Sequence, residues 1–390
     1  MANLNSWQRI DRVIAGRPFG DGADGDYNSS TIPTMTYRSC SGSASSTTLT
    51  LTSAGFSNGD LILIHQTRGT GAGQWEINKV VGGGGTTSLT LDKALQYTYT
   101  DSGASQAQAV KILRYNNVTC PSGTWTVPSW NGDTGGILVL AARWTVTING
   151  VIDGSGANGG VANDPGGGTG GFAGGQGLDA TPTFDSYCGE GTAGGSFQTN
   201  SANGNGGGGG RMTGAPGSAG GGGGGNGAAG GNGSANNGVG GTGGSTAGSA
   251  DLTNMVFGGA GGGGARESVN NTGSGGAGGK IIFLIGKTIS VGNSFMANGG
   301  VGGNEPSTSA DGGSGAGGSI LLVCSSSTLG SSLLTATGGA AGGAGGAGGA
   351  GRIALHYFSS YSGSTNPTLY ANQDPTLVES SSGVFFHNFL

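Results

Sequence analysis

The chain has 390 residues, and 94 of them are glycine, about a quarter against roughly 7% in average proteins. Only 9% of its residues are charged and the formal net charge is −5, with no Lys/Arg cluster, so nucleic acid is not an expected partner. No stretch reaches the roughly 18 apolar residues of a membrane span, so membrane insertion is not expected either.

The chain opens with Leu4, Trp7, Ile10 and Ile14 at helical spacing, with Ser6 able to cap the start and Gly16 and Pro18 to stop it. This predicts a short amphipathic helix over 4–15 that covers an end of the β structure or docks on another protein. The same residues lack the apolar core and cleavage site of a signal peptide. That leaves a cytoplasmic product, a virion component assembled inside a host, or a chain that has lost its signal as the expectations. Asp21, Asp24 and Asp26 follow in the segment FGDGADGD. They offer oxygens to Ca²⁺ or form a solvated turn, and their spacing misses the known calcium-loop patterns.

Thr47–Thr52, 60–65 and 88–91 alternate polar and apolar residues with Gly, Ser and Asn turns between them. That pattern predicts half-buried strands, in an all-β sandwich or the first coils of a β-helix. Residues 1–134 are thus read as a β-rich N-terminal domain. Cys40, Cys120, Cys188 and Cys324 are widely spaced with no CxxC pair. They fit buried free thiols, and a Cys40–Cys120 bridge stays open.

From Gly135 a repeat appears: GGILVLAARWTVTINGVIDGSGANGG, then GGKIIFLIGKTISVGNSFMANGG from Gly278, GGSILLVCSSSTLGSSLLTATGG from Gly317, and a truncated GRIALHYF from Gly351. Each copy is a glycine pair, an apolar strand, a polar corner and a further glycine run. One copy cannot bury its own apolar face, so copies must stack. The intervening runs, such as GNGGGGG at 204–210 and GGGGGGNGAAGGNG at 220–233, are GGX-like. In a polyproline-II-type helix such a pattern leaves two bare edges that let neighbours approach and bond. The expected fold is all-β: a β-rich N-terminal region leading into a β-helix or solenoid-like repeat over 135–355 with an inserted polyglycine-II helix bundle. A C-terminal β tail covers 356–390.

No catalytic constellation is visible. His65, His356 and His387 each stand alone, carboxylates are scattered, and no GxSxG or HExxH motif occurs. No enzyme activity, cofactor or metal is expected. Phe184, Tyr187 and Phe197 fall in one interruption of the glycine zone and Met255 and Phe257 in another. Rings amid Ser, Thr and Asn suit surface recognition, or pack against the edge of the glycine block. Val384, Phe385, Phe386, Phe389 and Leu390 make an apolar terminus that folds back or adds a strand to a neighbouring subunit.

The glycine runs of roughly 154–351, separated by variable segments, resemble the glycine-rich tail-tip adhesins of T-even bacteriophages. In that family a packed glycine block carries loops that recognise a host receptor. The resemblance implies a non-enzymatic tail-fibre or tail-tip adhesin, located in the virion's tail fibre or at the extracellular cell surface, whose partner is a cell-surface glycan or outer-membrane protein and which docks on a fibre protein. The interleaved strand repeats and the β-rich N-terminal region depart from that family. An alternative is a subunit of an extracellular bacterial or archaeal filament or matrix, which associates with identical subunits through its apolar termini. Some insect antifreeze proteins also use glycine bundles. An ice-binding role would call for a regular Thr or Ala array on one flat face.

Overall fold

The structure, a computed structural model, describes residues 19–161, 167–179, 183–214, 216–267, 272–305 and 309–377. After a two-residue strand β1 (Tyr27–Asn28) come six antiparallel strands: β2 (Tyr37–Ser41), β3 (Thr48–Leu51), β4 (Leu61–Arg68), β5 (Trp75–Gly82), β6 (Ser88–Leu91) and β7 (Gln106–Lys111). They close into a barrel in the order β2-β3-β6-β5-β4-β7. The period-two pattern explains the inside. Leu49 pairs with Leu89 and Cys40 with Leu51, and these join Phe56, Ile62, Ile64 and Tyr99 in one apolar core. Thr48, Thr50, Ser88 and Thr90 face out and are exposed.

Strand β4 is buried on both faces, because Leu61 and Leu63 point out of the barrel into a second core. That core lies between the barrel and a parallel sheet. The sheet contains β8 (Leu113–Tyr115), β9 (Val118–Cys120), β10 (Thr124–Thr126), β11 (Ile137–Ile148), β12 (Val151–Asp153), β19 (Ile281–Val291), β20 (Phe295–Met296), β21 (Ser319–Thr335), β22 (Arg352–Asn366) and β23 (Tyr370–Gln373), together with β1. Between β12 and β19 lie six two-residue strands: β13 (Leu178–Asp179), β14 (Arg211–Met212), β15 (Ser218–Ala219), β16 (Ala235–Asn236), β17 (Gly238–Val239) and β18 (Ala265–Arg266).

The four repeat copies lie side by side as β11, β19, β21 and β22. Leu140 pairs with Leu284, Leu284 with Leu322, and Leu322 with Leu355. Their first halves are apolar without alternation because both faces are covered. Ile137, Val139, Phe283 and Leu321 meet the barrel side, and Leu138, Leu140, Leu284 and Leu322 face a third core. The return strands β10, β12 and β20 close over that third core with Trp125, Ile152 and Phe295.

The expected β-helix with an inserted polyglycine-II helix bundle is corrected by this arrangement. Among the described residues there is no helix, and the ordered strands form a parallel, half-barrel sheet and a closed six-stranded barrel. The N-terminal strands make neither a sandwich nor coils of a solenoid, because they pair antiparallel and close on themselves. The glycine runs are extended segments stitched to their neighbours. Gly220 to Gly225 donate in turn to Ser234, Asp311, Gly208, Gly231, Ser314 and Asn205. Each third donor returns to the same neighbouring segment.

That packing leaves no room for side chains. A Cβ on Gly224 would sit 1.9 Å from the carbonyl oxygen of Gly259, and one on Gly278 would sit 1.7 Å from that of Gly258. Backbone hydrogen bonds and close contacts order these segments, and buried amides and carbonyls find their partners without a side-chain core.

Candidate functional site

Phe184, Tyr187 and Phe197 fall within one excursion, residues 183–200, at the border of the glycine zone. Its backbone is fixed by the glycine segment running between its arms. Ser186 N donates to Gly210 O at 2.9 Å, Gly209 N to Thr199 O at 2.8 Å, and Gly189 N to Gly207 O at 2.7 Å. Cys188 N donates to Phe197 O at 2.9 Å, and the Asn203 amide donates to Gly194 O and Gly195 O at 2.8 and 3.0 Å. Phe197 thereby stands 54% exposed on a pinned loop. Phe184 and Tyr187 are half-buried beside it in the chain.

A second short ladder adjoins this excursion. Arg211 pairs with Val239, Met212 N donates to Phe184 O at 2.9 Å, and Arg211 Nε lies 3.6 Å from Asp185 Oδ1. Asn200 Nδ2 donates to Gly209 O at 2.9 Å and Gly240 O at 3.0 Å, which joins the two ladders. Val239 is 47% exposed. The result is an apolar ring and an aliphatic side chain among exposed Ser196, Gln198 and Ser201, a mixture suited to stacking plus hydrogen bonding.

Met255 and Phe257 are placed differently from the expectation. Both are fully buried. The Phe257 ring packs 5.4 Å from Phe172, 5.8 Å from Trp130 and 6.3 Å from His65, so it joins the barrel to the glycine zone and cannot meet a receptor. Met255, Val256 and Phe257 form a buried apolar run that plugs this junction.

Two ionisable groups hold the same junction. His65 Nε2 lies 2.7 Å from Met255 O, which requires Nε2 to carry the proton. Nδ1 then accepts from the Thr67 hydroxyl at 3.0 Å, and Thr67 Oγ1 accepts in turn from Gln108 Nε2 at 3.1 Å. Burial pulls the His65 imidazole down to about 4, against the opposing pull of the Met255 carbonyl. Glu190 pairs with Arg68 and accepts from Trp130 Nε1 at 3.0 Å and Ala173 N at 3.1 Å. Burial pushes its carboxyl above the usual range, although Arg68 and Trp130 hold it back. Both groups are engaged in joining parts of the fold.

Asp21, Asp24 and Asp26 turn toward the sheet edge. Asp24 Oδ2 accepts from Arg114 N at 2.7 Å, Asp21 Oδ2 pairs with Arg114 Nη1 at 2.7 Å, and Asp26 Oδ1 accepts from Asn117 N at 3.0 Å. Their oxygens stitch the segment to β8 and the start of β9. Among the described residues no three His, Cys, Asp or Glu side chains gather as a metal site. Cys40, Cys120, Cys188 and Cys324 are all buried free thiols, so the Cys40–Cys120 bridge does not form. The assembly candidates Leu4, Trp7, Ile10, Ile14, Val384, Phe385, Phe386, Phe389 and Leu390 lie outside the described residues.

Trp144 was not anticipated as a surface feature. Its signal was the Arg143-Trp144 dipeptide breaking the first copy's apolar run, at the corner where the second copy carries Lys287. No family model matches the chain, and no curated protein matches it.

Proposed function

We propose that this chain is a non-enzymatic adhesive scaffold, a phage tail-fibre or tail-tip receptor-binding protein, that presents the 183–200 loop to a cell-surface glycan or outer-membrane protein. The observation that carries this reading is the exposure of Phe197 on a backbone pinned from several sides by glycine segments. A preorganised aromatic anchor loses little conformational freedom on binding. The interior glycines tolerate no side chain, so specificity must reside in the loops.

The test is flow cytometry of the labelled full chain on a panel of bacterial cells. Phe197→Ala should lower cell binding about tenfold or more while circular dichroism stays unchanged. Equal binding by Phe197→Ala and Tyr187→Ala would assign these loops to packing alone.

A filament or matrix subunit is the second reading, and one feature favours it. Among the described residues, β22 from Phe358 to Asn366 pairs only on its β21 side, with Tyr361 40% exposed along it. Such an edge is a template for another strand. Filaments seen by electron microscopy that vanish on deletion of residues 384–390 would favour this reading over the first.

A further inference from the structure

The bend of the parallel sheet carries a ridge that the 183–200 loop does not include. Pairing between β11 and β19 slips between Ala142 and Thr145, so Arg143 and Trp144 stand opposite the single residue Lys287. This bulge pushes Trp144 outward, where it is 37% exposed. Arg143 Cζ lies 4.7 Å and Lys287 Nζ 4.8 Å from the ring centroid. Arg143 Nε is buried with no hydrogen-bond partner among the described residues. Two of the chain's 15 Lys and Arg residues therefore flank one outward-facing indole.

Hydroxyls extend across the strands from that point. Thr145 pairs with Thr288, Thr288 with Ser326, and Ser326 with Ser360. One step along, Thr147 pairs with Ser290, Ser290 with Thr328, and Thr328 with Ser362. All eight are exposed or half-exposed. The intervening Val146 and Ile289 point inward to the core. Strand spacing sets successive hydroxyls about 4.8 Å apart, in two rows roughly 6.7 Å apart.

We propose that this ridge binds a linear acidic polysaccharide laid across the strands. Its carboxylate or sulfate groups meet Arg143 and Lys287, a sugar ring edge lies against Trp144, and its hydroxyls meet the Ser/Thr rows. Charge complementarity selects the acidic class, since two cations concentrate here on a chain of net charge −5. The hydroxyl rows offer both donors and acceptors, which suits a polyol. A nucleic acid would need more cations than these two, on a chain of its own sign. Ice would need neither the cations nor the indole.

Affinity electrophoresis of the full chain in gels containing alginate, dextran sulfate or neutral dextran tests this. Retardation by alginate or dextran sulfate, weakened by salt, and none by dextran is expected; the two acidic gels separate carboxylate from sulfate recognition. Trp144→Ala should weaken retardation about tenfold and Lys287→Glu more, with circular dichroism unchanged. Phe197→Ala should leave it intact, so the outcome is independent of the loop reading. The proposal is overturned by equal mobility in all gels, by equal retardation in dextran, or by retardation that both ridge variants retain. Tighter binding of a single-stranded oligonucleotide, or shaping of ice crystals by the chain, would overturn it as well.

Discussion

The barrel and the glycine zone solve the same problem with opposite materials. In the barrel, Leu49, Leu89, Ile62 and Phe56 fill the interior, and backbone hydrogen bonding is confined to neighbouring strands. In the glycine zone the interior is backbone, and carbonyl oxygens occupy the positions where Cβ atoms would be. One interior is specified by side-chain volume, the other by its absence. The comparison teaches that dense packing requires only atoms that fit and polar groups that find partners.

The largest expected effects come from reversing the two materials. Adding one methyl by Gly224→Ala drives a carbon into the Gly259 carbonyl and should cost more than about 3 kcal/mol. Removing three carbons by Leu49→Ala in the barrel should cost about 2–5 kcal/mol. Thermal or denaturant unfolding of both variants measures this. A Gly224→Ala chain as stable as the parent would break the comparison.

Next comes the junction. His65 is held neutral with its imidazole near 4, while an unfolded chain titrates near 6.5. The unfolded state therefore binds more protons between those values. Stability is full above about pH 6.5 and falls as pH drops toward 4, by about 3 kcal/mol in all. Denaturant melts across pH 4–7 check it, and the part of the slope due to this group should disappear in His65→Phe. Smallest is the outer wall of the barrel: Thr48→Ala, on an exposed position, should change stability by no more than about 0.5 kcal/mol.

Local pattern was legible in the sequence where it depends on neighbours in the chain. The Thr/Leu alternation located β3 and β6, and the recurring apolar segments located β11, β19, β21 and β22. Closure of the barrel was not legible, because it depends on β2 meeting β7 across some 70 intervening residues. Nor was the course of the glycine segments. Their register comes from partners as distant as Gly221 and Asp311, and uniform composition carries no mark of which run lies beside which.

At the candidate site, aromatic residues in the interruptions were visible, but their fates were not. Phe197 lies between Ser196 and Gln198, whereas Phe257 follows Met255 and Val256; the first is exposed and the second buried, since a junction with the barrel covers it. Trp144 is outward because of a bulge, and a bulge is a relation between two strands.

The rotating donors of the glycine runs have a consequence for how such a chain can change. Successive amides address three different neighbours in turn, so a run has a reading frame of three. Inserting one glycine after Gly221 would send every later donor of that run to the wrong neighbour, whereas inserting three would restore the phase. Variation in length inside the block is quantised, and the frame runs on into the 183–200 loop, where Ser186 and Gly189 donate to Gly210 and Gly207 while Tyr187 and Glu190 donate to Gln176 and Ala173. A lineage of these proteins should therefore change its barrel turns, such as 83–87, freely and its glycine segments in threes.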